Sequence, residues 1–483
     1  MIEAAGRWLD DRLGVSRFAR TSLKKIYPDH WSFLLGEFAL YSFVIIVMTG
    51  VFLTFFFDAS TEEVVYEGSY APLRGELMSA AFRSTLELSF EVRAGLVMRQ
   101  IHHWAALVFL ASVIAHLCRV FFTGAFRRPR ELNWMVGVTL LLLAVVNGFT
   151  GYSLPDDLLS GTGLRIFYSI FLAVPVIGTW LAFLFFGGEF PAHDIIGRLF
   201  VIHVLLIPAA IVGLIGAHMG IMWRQKHTHY RGPGRTERNV SGTRFWPTYV
   251  VKTSGVFVLV AAVLTALGGL VQINPVWLYG PFHPADVTTA AQPDWYIGWL
   301  EGALRLFPPW DFTLFGYTVS EVLIPGILLP GITFGLLYAW PFLERRLTGE
   351  RDEHHLLDRP RDRPVRTAIG VGVLTFYGVL LLAGGDDIIA EKLDLPIVPV
   401  VWAFRILLFV LPLLAAAFAW KLCRDLAADD PLPGAGTEEG ASTEPTEPTE
   451  PTSETDGSTP TEPTAETDGR GEPAEAEPAE APA

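Results

Sequence analysis

Apolar residues in this chain come in long unbroken runs separated by short polar and basic segments. Crossing a hydrocarbon core of ~30 Å takes roughly 20 helical residues at about 1.5 Å each. Nine stretches reach or approach that length: 36–57, 98–122, 134–154, 166–187, 199–223, 254–272, 321–341, 367–385 and 397–420. Lys and Arg accumulate on the cytoplasmic side of a membrane protein. Here the basic clusters are 1–30, 119–130, 224–252, 345–366 and the C-terminus, which together hold most of the 36 Lys and Arg. One orientation places them all inside only if 166–187 does not cross, and Pro175 and Gly178 interrupt that stretch midway. The pattern therefore predicts an all-α polytopic bundle of eight transmembrane helices with both termini in the cytoplasm. Residues 156–190 become a helical hairpin on the outer surface.

Composition agrees with a membrane protein and excludes one soluble domain: 51% of residues are hydrophobic and mean hydropathy is +0.38. The net charge of −14 is concentrated in a tail of Pro, Thr, Glu and Ala. Residues 421–483 are expected to be disordered, because such a tail has almost no large apolar side chain to bury. Residues 1–30 are mixed-charge and amphipathic, which predicts a cytoplasmic surface segment and no cleavable signal peptide. Cys118 and Cys423 stand alone beside basic residues, so neither a disulfide, a zinc site nor covalent haem is expected.

Four histidines inside the apolar runs carry the chemistry. His102 and His116 lie fourteen residues apart in one run, and His203 and His218 fifteen apart in another. At about 100° per residue, each pair returns to within about 40° or 60° of one helix face, near opposite leaflets. Two such helices side by side would present two facing imidazole pairs ~21–22 Å apart along the axis, each able to supply both axial nitrogens of one haem iron. Ionisable groups are costly inside a bilayer and mark functional sites. His103 is rotated by about 100° from His102 and is expected to face away from the pair.

Glycines repeat the register. Gly36 and Gly50, and again Gly137 and Gly151, are fourteen apart, as needed if a porphyrin packs where a Cβ would obstruct it. Arg99 and Arg198, at the outer ends of the two histidine helices, are placed to pair with haem propionates. These features divide the chain into a four-helix di-haem domain (31–223) and a C-terminal four-helix domain (224–420).

With those residues in place, the sequence resembles the cytochrome b and b6 family of cytochrome bc complexes from about Tyr27 to Lys421, and is closest to its actinobacterial form. Gly-Tyr-Ser-Leu-Pro at 151–155 is similar to the motif that ends the family's third helix. Gln-Pro-Asp-Trp-Tyr at 292–296 resembles the family's Pro-Glu-Trp-Tyr signature. The resemblance implies two haem b, an outer one on His102 and His203 and an inner one on His116 and His218. It also implies an outer quinol site built from Tyr152, Gly163, Pro293, Asp294, Trp295 and Tyr296. There a quinol, menaquinol by the actinobacterial likeness, would give one electron to a Rieske iron-sulfur subunit and onward to a c1-like cytochrome c subunit. The other would cross through the b haems to an inner quinone, contributing to proton-motive force. Asp294 would be the proton acceptor, since a carboxylate near a partly buried quinol hydroxyl suits that task. The resemblance further implies the bacterial plasma membrane with its lipid, a homodimer of complexes, association with a terminal oxidase, and no nucleic acid.

Departures from the family pattern are specific. Asp294 is one methylene shorter than the family's Glu. Trp223 stands where the mitochondrial pattern has a His, and Phe-Trp-Pro-Thr-Tyr leads to Thr253 where it has an Asp. Leu34 replaces the Cys that carries an extra haem in b6 proteins, so a third haem is not expected. Two rival readings use four membrane histidines differently: a di-haem b anchor of another quinone-linked dehydrogenase, and a proton-coupled transporter without haem.

Overall fold

The computed structural model of the chain describes residues 2–286, 288 and 292–430. The acidic segment 431–483 lies outside them. Among the described residues, eight helices are long and apolar enough to cross a membrane: Trp31–Thr54, Gly95–Phe122, Glu131–Tyr152, Ile195–Gln225, Phe245–Leu270, Ile324–Thr348, Pro364–Ala383 and Ile397–Asp429. They are called the first to eighth membrane helices below. The ninth apolar stretch resolves into two short helices, Leu158–Leu172 and Gly178–Phe186, neither long enough to span. The N-terminal segment forms helices Ile2–Leu13 and Val15–Leu23, broken at Gly14, whose φ of 59° ends the first.

Helix boundaries depart from the apolar runs where polar residues continue the helix into water. The eighth helix runs to Asp429, nine residues beyond the apolar run that predicts it. Apolarity marks the part in lipid, and backbone hydrogen bonding does not stop at the interface. The fourth helix holds the more telling deviation: residues Ile202–Leu206 form a π turn. A π turn inserts one residue into the helical register. Fifteen residues from His203 to His218 then cover the rotation that fourteen cover between His102 and His116.

The first four membrane helices pack around a core that includes Phe43, Phe109, Leu141 and Ile211, and Tyr296 enters the same core from a later loop. Tyr296 belongs to a short non-spanning helix, Trp295–Leu306. That helix lies against the seventh membrane helix, so close at Gly302 that an added Cβ would sit 1.8 Å from the Leu380 carbonyl oxygen. At the end of the bundle assigned to the cytoplasm, an ion-pair network ties the loop after the second membrane helix to the connection between the sixth and seventh. Asp358 accepts from Arg366 at 2.9 Å and pairs with Arg127 at 3.1 Å and Arg363 at 3.2 Å, while Arg366 Nε also donates to Glu344 at 3.0 Å. A short parallel pairing of His229–Tyr230 with Leu356–Leu357 lies beside it. Cys118 and Cys423 are free thiols.

Candidate functional site

All four predicted histidines point into the seam between the second and fourth membrane helices. The His102 and His203 rings lie with centroids 6.2 Å apart and planes at 76°, and the His116 and His218 rings 6.4 Å apart at 74°. Two imidazoles sharing one metal through bonds of about 2.0 Å have ring centroids about 6.2 Å apart, because each centroid lies about 1.1 Å behind its nitrogen. Both pairs meet that spacing.

The outer rings are oriented from behind. His102 Nδ1 lies 3.1 Å from the Ile46 carbonyl and 3.0 Å from Thr49 Oγ1; His203 Nδ1 lies 2.9 Å from the Asn147 carbonyl and 3.3 Å from Thr150 Oγ1. Fixing Nδ1 on an oxygen leaves Nε2 as the free nitrogen of each ring. Contacts on the first helix recur on the third 101 residues later, as does the outer histidine: Ile46 with Asn147, Thr49 with Thr150, Gly50 with Gly151, His102 with His203; the inner histidines, beyond the π turn, are offset by 102. At the inner pair, Nδ1 of His116 and of His218 are buried without a hydrogen-bond partner among the described residues.

The four glycines stand where the register predicts. A Cβ at Gly36 would lie 3.4 Å from His116 Cε1, at Gly50 3.1 Å from His102, at Gly137 3.8 Å from His218, and at Gly151 2.3 Å from His203. Each histidine ring thus has a glycine at its edge, and the space beside it is left clear for a flat macrocycle. Donor type, ring spacing and cleared backbone all fit haem b at two depths.

Of the two arginines, the structure brings one to the outer pair. Arg99 lines the outer cavity, with Nη2 donating to the Asn274 carbonyl at 3.1 Å and its buried Nε unpartnered, as a site for an anionic group would have it. Arg198 lies in a separate cleft with Thr61 and His193. Its Nη1 donates to the carbonyls of Leu184 and Phe185 at 2.8 and 3.3 Å, closing the C-terminal end of the hairpin's second helix. Terminal helix carbonyls need donors, and this guanidinium is committed to them.

The outer histidines open onto a cavity of about 280 Å³ also lined by Tyr152, Asp157, Asp294 and Tyr296. Both carboxylate oxygens of Asp294 lie 2.9 Å from His103 Nε2, and Asp294 Oδ2 accepts from the Tyr296 hydroxyl at 3.3 Å. Tyr152 donates to the Leu159 carbonyl at 2.9 Å. Gly163 stands behind that ring, 3.0 Å from it at the position of an added Cβ. Trp295 packs edge-on against Tyr296 at 6.1 Å, and neither it nor Pro293 lines the cavity. Asp157 accepts from the Ser160 backbone N–H at 2.8 Å as the reciprocal cap of helix Leu158–Leu172. Burial pushes its carboxyl up to about 6, against the opposing pull of Ser160 and Arg99.

Residues 107–281 match the family model described as cytochrome b(N-terminal)/b6/petB. The chain is 49% identical to a cytochrome bc1 complex cytochrome b subunit of Streptomyces coelicolor, over 89% of this chain and 78% of that one. It is 51% identical to the subunit of that name in Mycobacterium tuberculosis, over 87% of this chain and 77% of the relative. The chain belongs to the family of cytochrome bc1 complex cytochrome b subunits. Its fold is also that of a solved chain described as a hyperthermophilic respiratory Complex III, at TM-score 0.64 and 21% identity, covering 86% of this chain and 98% of that one.

Within this cytochrome b, one residue that sequence reasoning set aside and two that it did not name lie in or beside the site. His103 does face away from the histidine seam, and what it faces is Asp294. Arg119 lies one turn beyond His116, its guanidinium 4.1 Å over the Phe33 ring, with Nε and Nη2 buried and without a hydrogen-bond partner among the described residues. The signal for it was register: Arg119 follows His116 by three residues as Arg99 precedes His102 by three. Gly148 admits Tyr296, whose hydroxyl would lie 2.5 Å from a Cβ there, and only the tertiary return of the 292–296 loop reveals that need.

Proposed function

We propose that this cytochrome b subunit holds two haem b in a respiratory quinol:cytochrome c oxidoreductase and oxidises menaquinol at the outer cavity. Haem b bound by His102 with His203, and by His116 with His218, supplies one-electron redox chemistry at two depths of the membrane. Arg99 and Arg119 are positioned to neutralise the propionates of the outer and inner haem. The observation that carries the reading is the spacing of the two imidazole pairs, which suits one shared iron each.

In the outer cavity, Asp294 is the proton acceptor for the quinol hydroxyl. The Tyr296 hydroxyl and His103 fix the two carboxylate oxygens, so the shorter Asp is held in one orientation instead of reaching further as a Glu would. Tyr152, pinned by Leu159 and backed by Gly163, shapes the opposite wall. Pro293 and Trp295 act by placing the loop. In this reading one electron leaves toward a Rieske iron-sulfur subunit and a c1-like cytochrome c subunit, and the other toward an inner quinone. The complex is a homodimer in the bacterial plasma membrane with both termini of this chain in the cytoplasm, and it associates with a terminal oxidase.

The test is quinol-dependent reduction of cytochrome c by the isolated complex, with haem b quantified per chain. Two haem b per chain and a loss of roughly 10²-fold or more in rate on Asp294→Asn are expected. A di-haem anchor of another dehydrogenase would retain the haems without the reductase activity. A transporter would carry no haem at all.

A further inference from the structure

The family resemblance implies an inner quinone site, yet the two side chains the mitochondrial pattern would place there are replaced by Trp223 and Thr253. The structure puts a carboxylate back at this end of the bundle from a different helix. Glu37, in the first turn of the first membrane helix, reaches across to the fifth. Its Oε2 accepts from Thr253 Oγ1 at 2.6 Å and its Oε1 accepts from the Tyr249 hydroxyl. The Tyr41 hydroxyl, one turn along the first helix, joins the same chain through Thr253. These partners are all hydroxyls, so no cation accounts for a carboxylate in a membrane helix, where such a group marks function.

Its surroundings suit a flat ring. Tyr27 packs at a tilt against Tyr249 at 4.2 Å and against His227 at 4.3 Å, and Phe245 and Trp223 extend that aromatic wall. Gly36, the chain neighbour of Glu37, is the glycine at the edge of His116, so the carboxylate lies at the level of the inner pair. The charged groups around it are Lys25, bound to the Trp223 carbonyl and set over its ring, and Lys252, which pairs with Asp29 at 2.8 Å at the exposed surface next to Thr253.

We propose that Glu37, held by Tyr249 and Thr253, is the proton-donating carboxyl of the inner quinone site, acting from the first helix where the family pattern uses an Asp on the fifth. The assignment rests on the function proposed above. Reduction of one quinone to quinol takes two electrons, delivered by quinol oxidised at the outer site, and two protons. For each proton the Glu37 carboxyl O–H breaks as an O–H forms on a quinone oxygen, and the carboxylate is reprotonated from cytoplasmic water past Lys252 and Asp29.

The test uses the intact complex with its b haems reduced chemically and the excess reductant removed. Short-chain menaquinone is added and haem reoxidation is followed by absorbance across a range of pH. Glu37→Gln keeps the shape of the side chain, its oxygen still accepting from one hydroxyl and its amide N–H donating to the other, so a purely structural clamp is largely retained. It is expected to keep both haems, to slow reoxidation roughly 10²-fold, and to abolish the fall in rate with rising pH that a carboxyl donor imposes. Adding Thr253→Asp to that variant returns a carboxylate from the fifth helix, and is expected to restore both the rate and its pH dependence in large part. Reoxidation of the Glu37→Gln complex at the unmodified rate overturns the proposal. So does a slowed Glu37→Gln complex that Thr253→Asp does not rescue at any pH. If Glu37→Gln fails to assemble, Thr253→Val decides, with slowed reoxidation expected and an unchanged rate overturning the assignment. Quinol-driven haem reduction in the unmodified complex tests the outer site separately, since chemical reduction bypasses it.

Discussion

An imidazole binds a metal well when its second nitrogen is already committed, and His102 and His203 are each fixed through Nδ1 by a helix carbonyl and a threonine hydroxyl. Replacing one ring removes half of an axial pair. His116→Ala or His218→Ala is therefore expected to reduce haem b from two to one per chain and to stop electron flow to the inner side, as read from the reduced-minus-oxidised spectrum. Retention of two haems with normal turnover would refute the ligand assignment. At this scale the sequence was most legible where a residue's role follows from its own helix. The histidines, the glycines and Arg99 could all be named as candidates by counting residues along single helices. Arg198 shows the limit of counting, because its position fits a propionate while its hydrogen bonds go to the hairpin. The partners of His103 and Glu37 were hidden, since each comes from a segment some 190 or more residues away in sequence.

Among elements, the π turn around His203 was hidden in plain spacing. Fifteen residues looked like a looser register than fourteen, and the inserted residue brings it into line. Deleting Val204, Leu205 or Leu206 would leave too few residues to reach His218 with an inserted turn, but a regular helix would then give the fourteen-residue spacing of the second helix. Such a deletion is expected to retain both haems if register alone matters, which haem quantification checks. Gly151→Val is expected to fail instead, because the added side chain occupies space 2.3 Å from His203, and the outer haem should be lost first. The surface hairpin depends on its cap. Asp157→Ala removes the acceptor for the Ser160 N–H, with an expected cost of about 1 kcal/mol, visible as faster amide exchange in Leu158–Leu172. Proline and glycine exposed this hairpin in the sequence, and its cap could not be told from an ordinary loop aspartate without the fold.

At the scale of the whole bundle, Asp358 holds Arg127, Arg363 and Arg366 at one end. Burial raises the Asp358 carboxyl, and the three guanidiniums outweigh it, so the net shift is downward. A depressed carboxyl contributes stability above its ordinary range and loses it as pH falls through that range and below. Asp358→Ala strands buried positive charge and is expected to cost about 3–5 kcal/mol, measurable as a lowered thermal midpoint at neutral pH, with the difference from the unaltered protein shrinking in acid. Truncation after Asp430 is expected to leave haem content and turnover largely intact, and collapse of assembly would give those residues a docking role. The membrane architecture was legible because lipid imposes length and charge rules on every span, whereas nothing in hydropathy foretells which loops meet. The 101-residue offset between the first and second helices and the third and fourth has a consequence of its own. Each facing imidazole pair takes one ring from the second membrane helix and one from the fourth, so neither the first two helices nor the next two hold a complete pair. A polypeptide carrying only one of these helix pairs would present single imidazoles at both depths and a facing couple at neither.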